Sequence, residues 1–506
     1  MFLRNVYRIA SALIVLLSLA VISSTYLLQT HTIDEPIHIA CGLQWWQQGA
    51  YSFELQHPPL SRIAAAFGPF VLGAKQSTSK WSFDLYDSSR PYFTMLTAAR
   101  AGQLPFFVLL CFSVWGWTTT MKSGRAASIA VFLTCANPIT LGHAGLATTD
   151  ISVTAALLFS CYAYHRWVLD PSRAASLLLM VALVMGLCSK FTYLIFFPIC
   201  AFVISLSLRK SFSKAHASRA IVIAVFVFIG VETMYLFDGA TPLSGFYEGL
   251  LEAKRHNAEG HPSYFLGERR RFGWWYFFPV VFAVKTPIPL LVLILLTLYH
   301  TVRHRSNIYS APLLAAVLVM IAVLPSSINI GVRHILPIYP LLACSCAMVM
   351  DELIRAEKRV YKFLFTALVC LCVWEVIEVK RSWPDFIGYF NPLAGPAPEA
   401  VRVDSDLDWG QGVVELVHWT NKVQLTEPIG FYFFATSDPS QHGLRWRIIS
   451  PWHPSAGWVA VSATELMMCR AARPAGEERP AWWWLSRERP LYRVGGNIIF
   501  HIEPGR

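Results

Sequence analysis

Residues 9–38 read "IASALIVLLSLAVISSTYLLQTHTIDEPIH": an apolar run of about 20 residues, then two adjacent carboxylates and a histidine. A helix of that length crosses the ~30 Å hydrocarbon core of a bilayer. Arg4 and Arg8 precede the run, which is too long for a signal-peptide core and has no small-x-small site after it. It reads as an uncleaved first membrane span. Asp34 and Glu35 then stand where a membrane helix emerges, and a carboxylate beside hydrocarbon loses hydration unless it is used or paired.

The whole chain agrees with that reading. Of 506 residues, 55% are hydrophobic and 14% charged, against about 25% charged in soluble domains. The net charge of +11 comes from Lys and Arg scattered in short clusters between apolar runs, so it speaks for membrane topology and against nucleic acid. Most of the 11 Cys lie inside apolar stretches, which argues against a disulfide framework; Cys41 and Cys469 read as extramembranous.

Further apolar runs lie near residues 103–119, 126–142, 151–165, 174–188, 191–208, 219–236, 274–300, 309–325, 334–350 and 360–378, for about 11 transmembrane helices. The basic loops at Lys122 and Arg125, Arg166 and Arg173, Arg209 to Lys214, Arg303 and Arg305, and Arg355 to Arg359 alternate with basic-poor ones. The positive-inside rule puts them and the N-terminus in the cytoplasm. The expected fold is an α-helical polytopic membrane domain over 1–380 with a long first extracytoplasmic loop, Gln29–Ala98. A small extracytoplasmic α/β domain follows over 381–506, with strands at "IGFYFFA", "GWVAVSA" and "NIIFHIE" and a helix after Gly412.

The outer side then collects the chemistry. Asp34 is a candidate general base or a solvated helix end, and Glu35 shares that candidacy. Asp150, closing "GLATTD", is a second site acid or a helix N-cap, and both can hold. Lys190 and Arg333 near the outer interface seek an anion, phosphate above all, because a cation in the bilayer is costly unpaired; snorkelling to headgroups is the bland alternative. Lys285, inside the eighth span, is a phosphate contact or an internal pair. "HPPLSR" holds His57 and Arg62 about a Pro-Pro turn as further candidate phosphate contacts, and His38 and His334 are substrate or acceptor candidates. In "DSDLDWGQGVVE" (404–415), Asp404, Asp406, Asp408 and Glu415 have calcium-loop spacing, but Trp409 occupies the position where the turn demands Gly. Asp408 capping the next helix, with the acids binding an acceptor, is the preferred reading. No P-loop, C-x-x-C, H-E-x-x-H or G-x-S-x-G motif is present.

"DEPIH", "HPPLSR", "HAGLATTD", "CSKFTYL", "GWWYFFPVVFAVKTPIP" and "GVRHILPIYP" occur in that order over roughly the first 345 residues. In this the chain resembles the C-type membrane glycosyltransferases of the protein O-mannosyltransferase and aminoarabinose (lipid A) transferase branch. The resemblance implies an enzyme that moves a sugar from a polyprenyl phosphate to a protein, lipid or glycan acceptor outside the membrane. Asp34 would activate the acceptor, Asp150 would be the second acid, and Lys190 would hold the donor phosphate. The aminoarabinose branch has Lys before the Pro-Pro; His57 stands there, as in the mannosyltransferases. The "DSDLDWGQ" tail resembles that of a bacterial subfamily, which implies the bacterial inner membrane with the tail in the periplasm. No cofactor is implied with certainty, and a divalent metal is compatible. The rival class is a transporter or flippase of a lipid-linked sugar, disfavoured by the long outer loop, the soluble tail and the absence of internal repeats.

Overall fold

The computed structural model describes residues 2–75, 85–86, 91–210, 212–237, 241–304, 307–355, 359–471 and 479–504. Arg305 and Lys358, two of the basic residues used for topology, lie outside them. The chain begins with α1 (Phe2–Ser23), and the first long loop is itself largely helical: α2 (Glu35–Gln48), α3 (Leu60–Val71) and α4 (Tyr92–Ala101). Then come α5 (Leu104–Met121), α6 (Gly124–Cys135), α7 (Pro138–Ala144), α8 (Asp150–Leu169), α9 (Arg173–Leu187), α10 (Tyr193–Leu208) and α11 (Lys214–Met234). The loop after it holds α12 (Ser244–Glu259) and a hairpin of β1 (Ser263–Phe265) and β2 (Glu268–Arg270). The apolar region closes with α13 (Phe277–Lys285), α14 (Ile288–His304), α15 (Asn307–Val323), α16 (Ile338–Arg355) and α17 (Arg359–Ser382).

Every expected apolar run is a helix or a bent pair of helices, and "SK" does separate α9 from α10. Two runs expected as single spans are broken. The 126–142 run bends by 70° before Pro138, and the 274–300 run by 116° at Thr286–Pro287. Proline removes a helix hydrogen bond and clashes with the preceding turn, so each break falls at a proline. Among the described residues three helices are long and apolar enough to cross a membrane, or five if each bent pair is one span. Others, such as α9 and α10, have 15 and 16 residues, about 24 Å at 1.5 Å per residue.

The main core is built where α5 packs on α6 and α8, and α16 on α6 and α15. It is filled by Phe107, Leu110, Trp117, Leu157, Phe277, Leu336 and Tyr339, all buried.

The tail contains α18 (Val413–Lys422), β3 (Ile429–Tyr432), β4 (Trp446–Ile448), β5 (Gly457–Ser462), α19 (Ala463–Arg470), β6 (Tyr492–Val494) and β7 (Asn497–Ile502). The three expected strands and the helix after Gly412 are present; β4 and β6, each of three residues, are too short to read from alternation. The sheet runs β4-β3-β5-β7-β6, parallel about β3 and antiparallel about β7. The β6–β7 turn is Gly495–Gly496 with φ of 55° and 78°, the left-handed pair a two-residue hairpin requires. The sheet packs on Val403 and on Tyr264 of β1, so the loop after α11 and the tail share one core.

Candidate active site

The adjacent acids of "IDEPIH" face different neighbours. Pro36 starts α2 in the first turn, where its missing N–H costs nothing, and Glu35 turns inward. Its carboxylate accepts from Arg100 Nε and Nη2, both at 2.9 Å, from Thr32 N at 2.8 Å and from Ala147 N at 2.9 Å. Burial alone would raise its pKa, but the Arg100 charge and these bonds hold it below the usual range. Glu35 therefore ties α2 to α4 and to the "HAGLATTD" loop, and it does not line the cavity described next. Asp34 stays one-third exposed, with Oδ2 accepting from Arg333 Nη1 at 2.9 Å.

A cavity of ≈ 430 Å³ opens at this pair. Of the residues singled out in the sequence, it is lined by Asp34, His38, His57, Lys190, Arg333, His334 and Asp404. Asp150 sits behind Lys190, whose Nζ donates to Asp150 Oδ1 at 2.6 Å. The N-cap of α8 is Thr149, without a side-chain bond, so the capping role considered for Asp150 is not the one found. Each acid of the site is thus held by one of the cations expected to grip a phosphate. Arg333 Nε is buried with no hydrogen-bond partner among the described residues.

Arg62 is not at the cavity surface. It is fully buried beneath, donating to His38 Nδ1 at 3.0 Å, Tyr51 Oη at 2.8 Å and the Glu54 carbonyl at 2.7 Å, and it pairs with the Glu54 carboxylate. "HPPLSR" starts α3 at Leu60, whose N–H donates to Cys188 O at 2.9 Å and so sets His57 beside "CSK". His38 and His57 meet edge to face, centroids 5.3 Å apart. Burial lowers both, helped by Arg62 at His38 and by Lys190 at His57, the latter to about 4. Both are neutral near pH 7, so His57 faces the cavity as a hydrogen-bonding group and not as a cation.

The tail supplies a wall. Ile33 N donates to Trp409 O at 3.1 Å, and the Arg333 guanidinium lies 4.1 Å from the Trp409 ring centroid. Asp406 Oδ1 accepts from Val332 N at 2.8 Å, and Ser405 Oγ donates to Ile330 O. Gly331, at φ 155°, lets this segment in: a Cβ there would collide with Ser405 Oγ. Lys285, at the end of α13, donates to Asp406 O at 2.6 Å and to Ile387 O at 2.7 Å. The internal-pair reading of Lys285 is the one found; it clamps the tail and is not at the cavity. Asp406 is likewise a positioning group.

Asp408 does not cap α18, whose N-cap is Gly412. It accepts from Ser462 Oγ and, at 3.4 Å, from Thr464 N, and burial pushes it up to about 7 despite those bonds. Of the acids with calcium-like spacing, Asp404 and Asp406 both face Arg402, at 3.6 and 3.4 Å, while Asp408 turns away to Ser462 and Thr464. Among the described residues no three His, Cys, Asp or Glu side chains stand together as metal ligands.

Glu54, His256, Asn257, His261 and Phe434 also line the cavity and went unread in the sequence. They carry no motif spacing; only their position in the two long loops and the tail hinted at them.

No protein-family model and no curated protein matches the chain. Among solved structures, ArnT from Cupriavidus metallidurans bound to undecaprenyl phosphate aligns over 97% of this chain and 97% of its own, with TM-score 0.52 and 12% identity. The apo form of the same protein gives 0.51 and 11% over the same shares. The chain has the fold of the C-type membrane glycosyltransferases. The resemblance drawn from its motifs holds at that level.

Proposed function

We propose that the protein is an inverting glycosyltransferase that moves a sugar from a polyprenyl phosphate to an acceptor hydroxyl at the outer face of the bacterial inner membrane. The observation that carries this reading is the single cavity into which Asp34, His57, Lys190 and Arg333 converge from four segments. ArnT, of the same fold, is described bound to undecaprenyl phosphate, a ligand that suits the two cations here. The eleven-span topology, with the basic loops inside and the tail outside, and the division at residue 380 belong to the same proposal.

In this mechanism the donor phosphate enters against Lys190 and Arg333. Arg333 turns its unpartnered Nε and one Nη to the phosphate and releases Asp34. The Asp34 carboxylate takes the acceptor proton as the acceptor oxygen attacks the anomeric carbon. The bond from that carbon to the phosphate oxygen breaks, and the electron pair leaves with the phosphate. The cations stabilise that growing charge, so no general acid is needed. Asp150 holds Lys190 in place throughout.

The test is release of undecaprenyl phosphate when purified protein meets a panel of undecaprenyl phosphate sugars. Release with appearance of a glycosylated acceptor supports the reading. Movement of intact donor across the bilayer without bond cleavage would support a transporter instead.

A further inference from the structure

A second, smaller cavity of ≈ 210 Å³ adjoins the first, and the two share His261, Asp404 and Phe434. Its remaining walls come from the β1–β2 hairpin and α19, through Arg269, Thr464, Glu465 and Met468. None of the apolar helices contributes, so the lipid tail of a donor has no place in it.

Asp404 is the hinge between the two spaces. It is a non-glycine residue at φ 63°, a conformation retained only where surroundings enforce it and one that clusters at functional sites. Here Thr464 Oγ1 enforces it, accepting from Asp404 N at 2.8 Å while donating to Asp408 O at 2.8 Å. Its Oδ1 accepts from Ser405 N at 2.5 Å, while Oδ2 is ion-paired with Arg402 Nη2 at 3.6 Å, beyond hydrogen-bond distance. Oδ2 can therefore accept from a ligand.

We propose that the smaller cavity is the acceptor subsite and that it takes a sugar ring at the end of a glycan. The inference rests on the glycosyltransferase reading above. A sugar ring presents a rim of hydroxyls and an apolar C–H face. The lining matches both, with acceptors at Asp404 and Glu465, a donor at Arg269, and apolar surface at Phe434 and Met468. An extended peptide would need an open sheet edge or a long groove, and a space of ≈ 210 Å³ is too small to serve as one. A ring seated here presents one hydroxyl past Asp404 and His261 toward Asp34.

The experiment uses full-length protein, labelled undecaprenyl phosphate hexoses, and two acceptor sets, short oligosaccharides and Ser/Thr peptides. Met468→Trp fills the smaller cavity, and Glu465→Gln removes an acceptor charge without changing shape; both residues line only that cavity. Met468→Leu controls for folding. Each of the first two should raise the oligosaccharide KM about tenfold, the worth of one ordinary hydrogen bond or more. Affinity for undecaprenyl phosphate, and single-turnover donor cleavage at saturating oligosaccharide, should stay at wild-type levels, and Met468→Leu should resemble wild type. Turnover with unshifted KM, a fall in undecaprenyl phosphate affinity, or use of peptides alone would overturn the inference and leave the enzyme reading standing. Wild-type protein that cleaved no donor at all would overturn both.

Discussion

Arg333 Nη1 donates to Asp34 Oδ2 at 2.9 Å across 299 residues of chain, with Trp409 stacked on the guanidinium. The candidate base is thereby held at the cavity until something competes for the arginine. Asp34→Asn should cut transfer by roughly 100-fold or more, the usual worth of a positioned base, with undecaprenyl phosphate still bound. Arg333→Lys should restore only part of the activity lost in Arg333→Ala, since an ammonium lacks the two-point grip. Single-turnover rates with saturating donor measure both, and near-normal turnover in Asp34→Asn would sink the assignment.

Glu35, next in sequence, should behave oppositely. Removing one partner of a fully buried ion pair costs about 3–5 kcal/mol, so Glu35→Gln and Arg100→Ala should lower thermal stability in detergent sharply. Because the folded Glu35 pKa lies below its ordinary 4.5, its contribution is present above that value and is lost as pH falls further. Protein that survives at low temperature should keep its donor affinity; a selective catalytic loss in stable protein would contradict this.

Burial and the Lys190 charge lower His57 from 6.5 to about 4. The unfolded chain binds a proton there before the folded one does, so stability is full above pH 6.5 and is lost as pH falls toward 4. His57→Phe should flatten the melting temperature against pH in that window. An unchanged slope would show that His57 titrates normally.

Asp408 has the reverse sign. Its carboxyl, raised by burial from 3.8 to about 7, is protonated in the fold when the unfolded chain has already lost its proton. Stability from this group falls as pH rises from 3.8 through 7. Asp408→Asn is neutral at every pH, so it should melt above wild type at pH 8, with the gain shrinking by pH 4. Melting curves at the two pH values decide it.

Tags placed after Lys122 or at residue 212 should be protected in sealed spheroplasts, and tags at Gly267 or residue 506 should be accessible. A protected C-terminus would separate the tail from the proposed outer face.

Much of the architecture was legible from local pattern. Apolar runs marked the helices, three short alternating runs marked β3, β5 and β7, and unpaired charges beside hydrocarbon marked Asp34, Asp150, Lys190 and Arg333. The prolines that break α6 from α7 and α13 from α14 stand inside runs that read as single spans, so neither break was legible. The long first loop hid α2, α3 and α4, because their hydrophobic faces pack against each other and carry no span-length signal.

By itself, then, the sequence determined which apolar runs are helix, three strands of the tail, and which side chains carry charge in or near the membrane. Those properties depend on hydropathy and period within a few turns of chain. Tertiary structure decided the rest: Glu35 went to Arg100 and Asp34 to Arg333, Lys285 went to the tail backbone, and "DSDLDWGQ" became a wall of the cavity. A buried charge takes whichever partner packing brings within about 3 Å, and for residues 65 to 299 positions apart no local pattern encodes that choice.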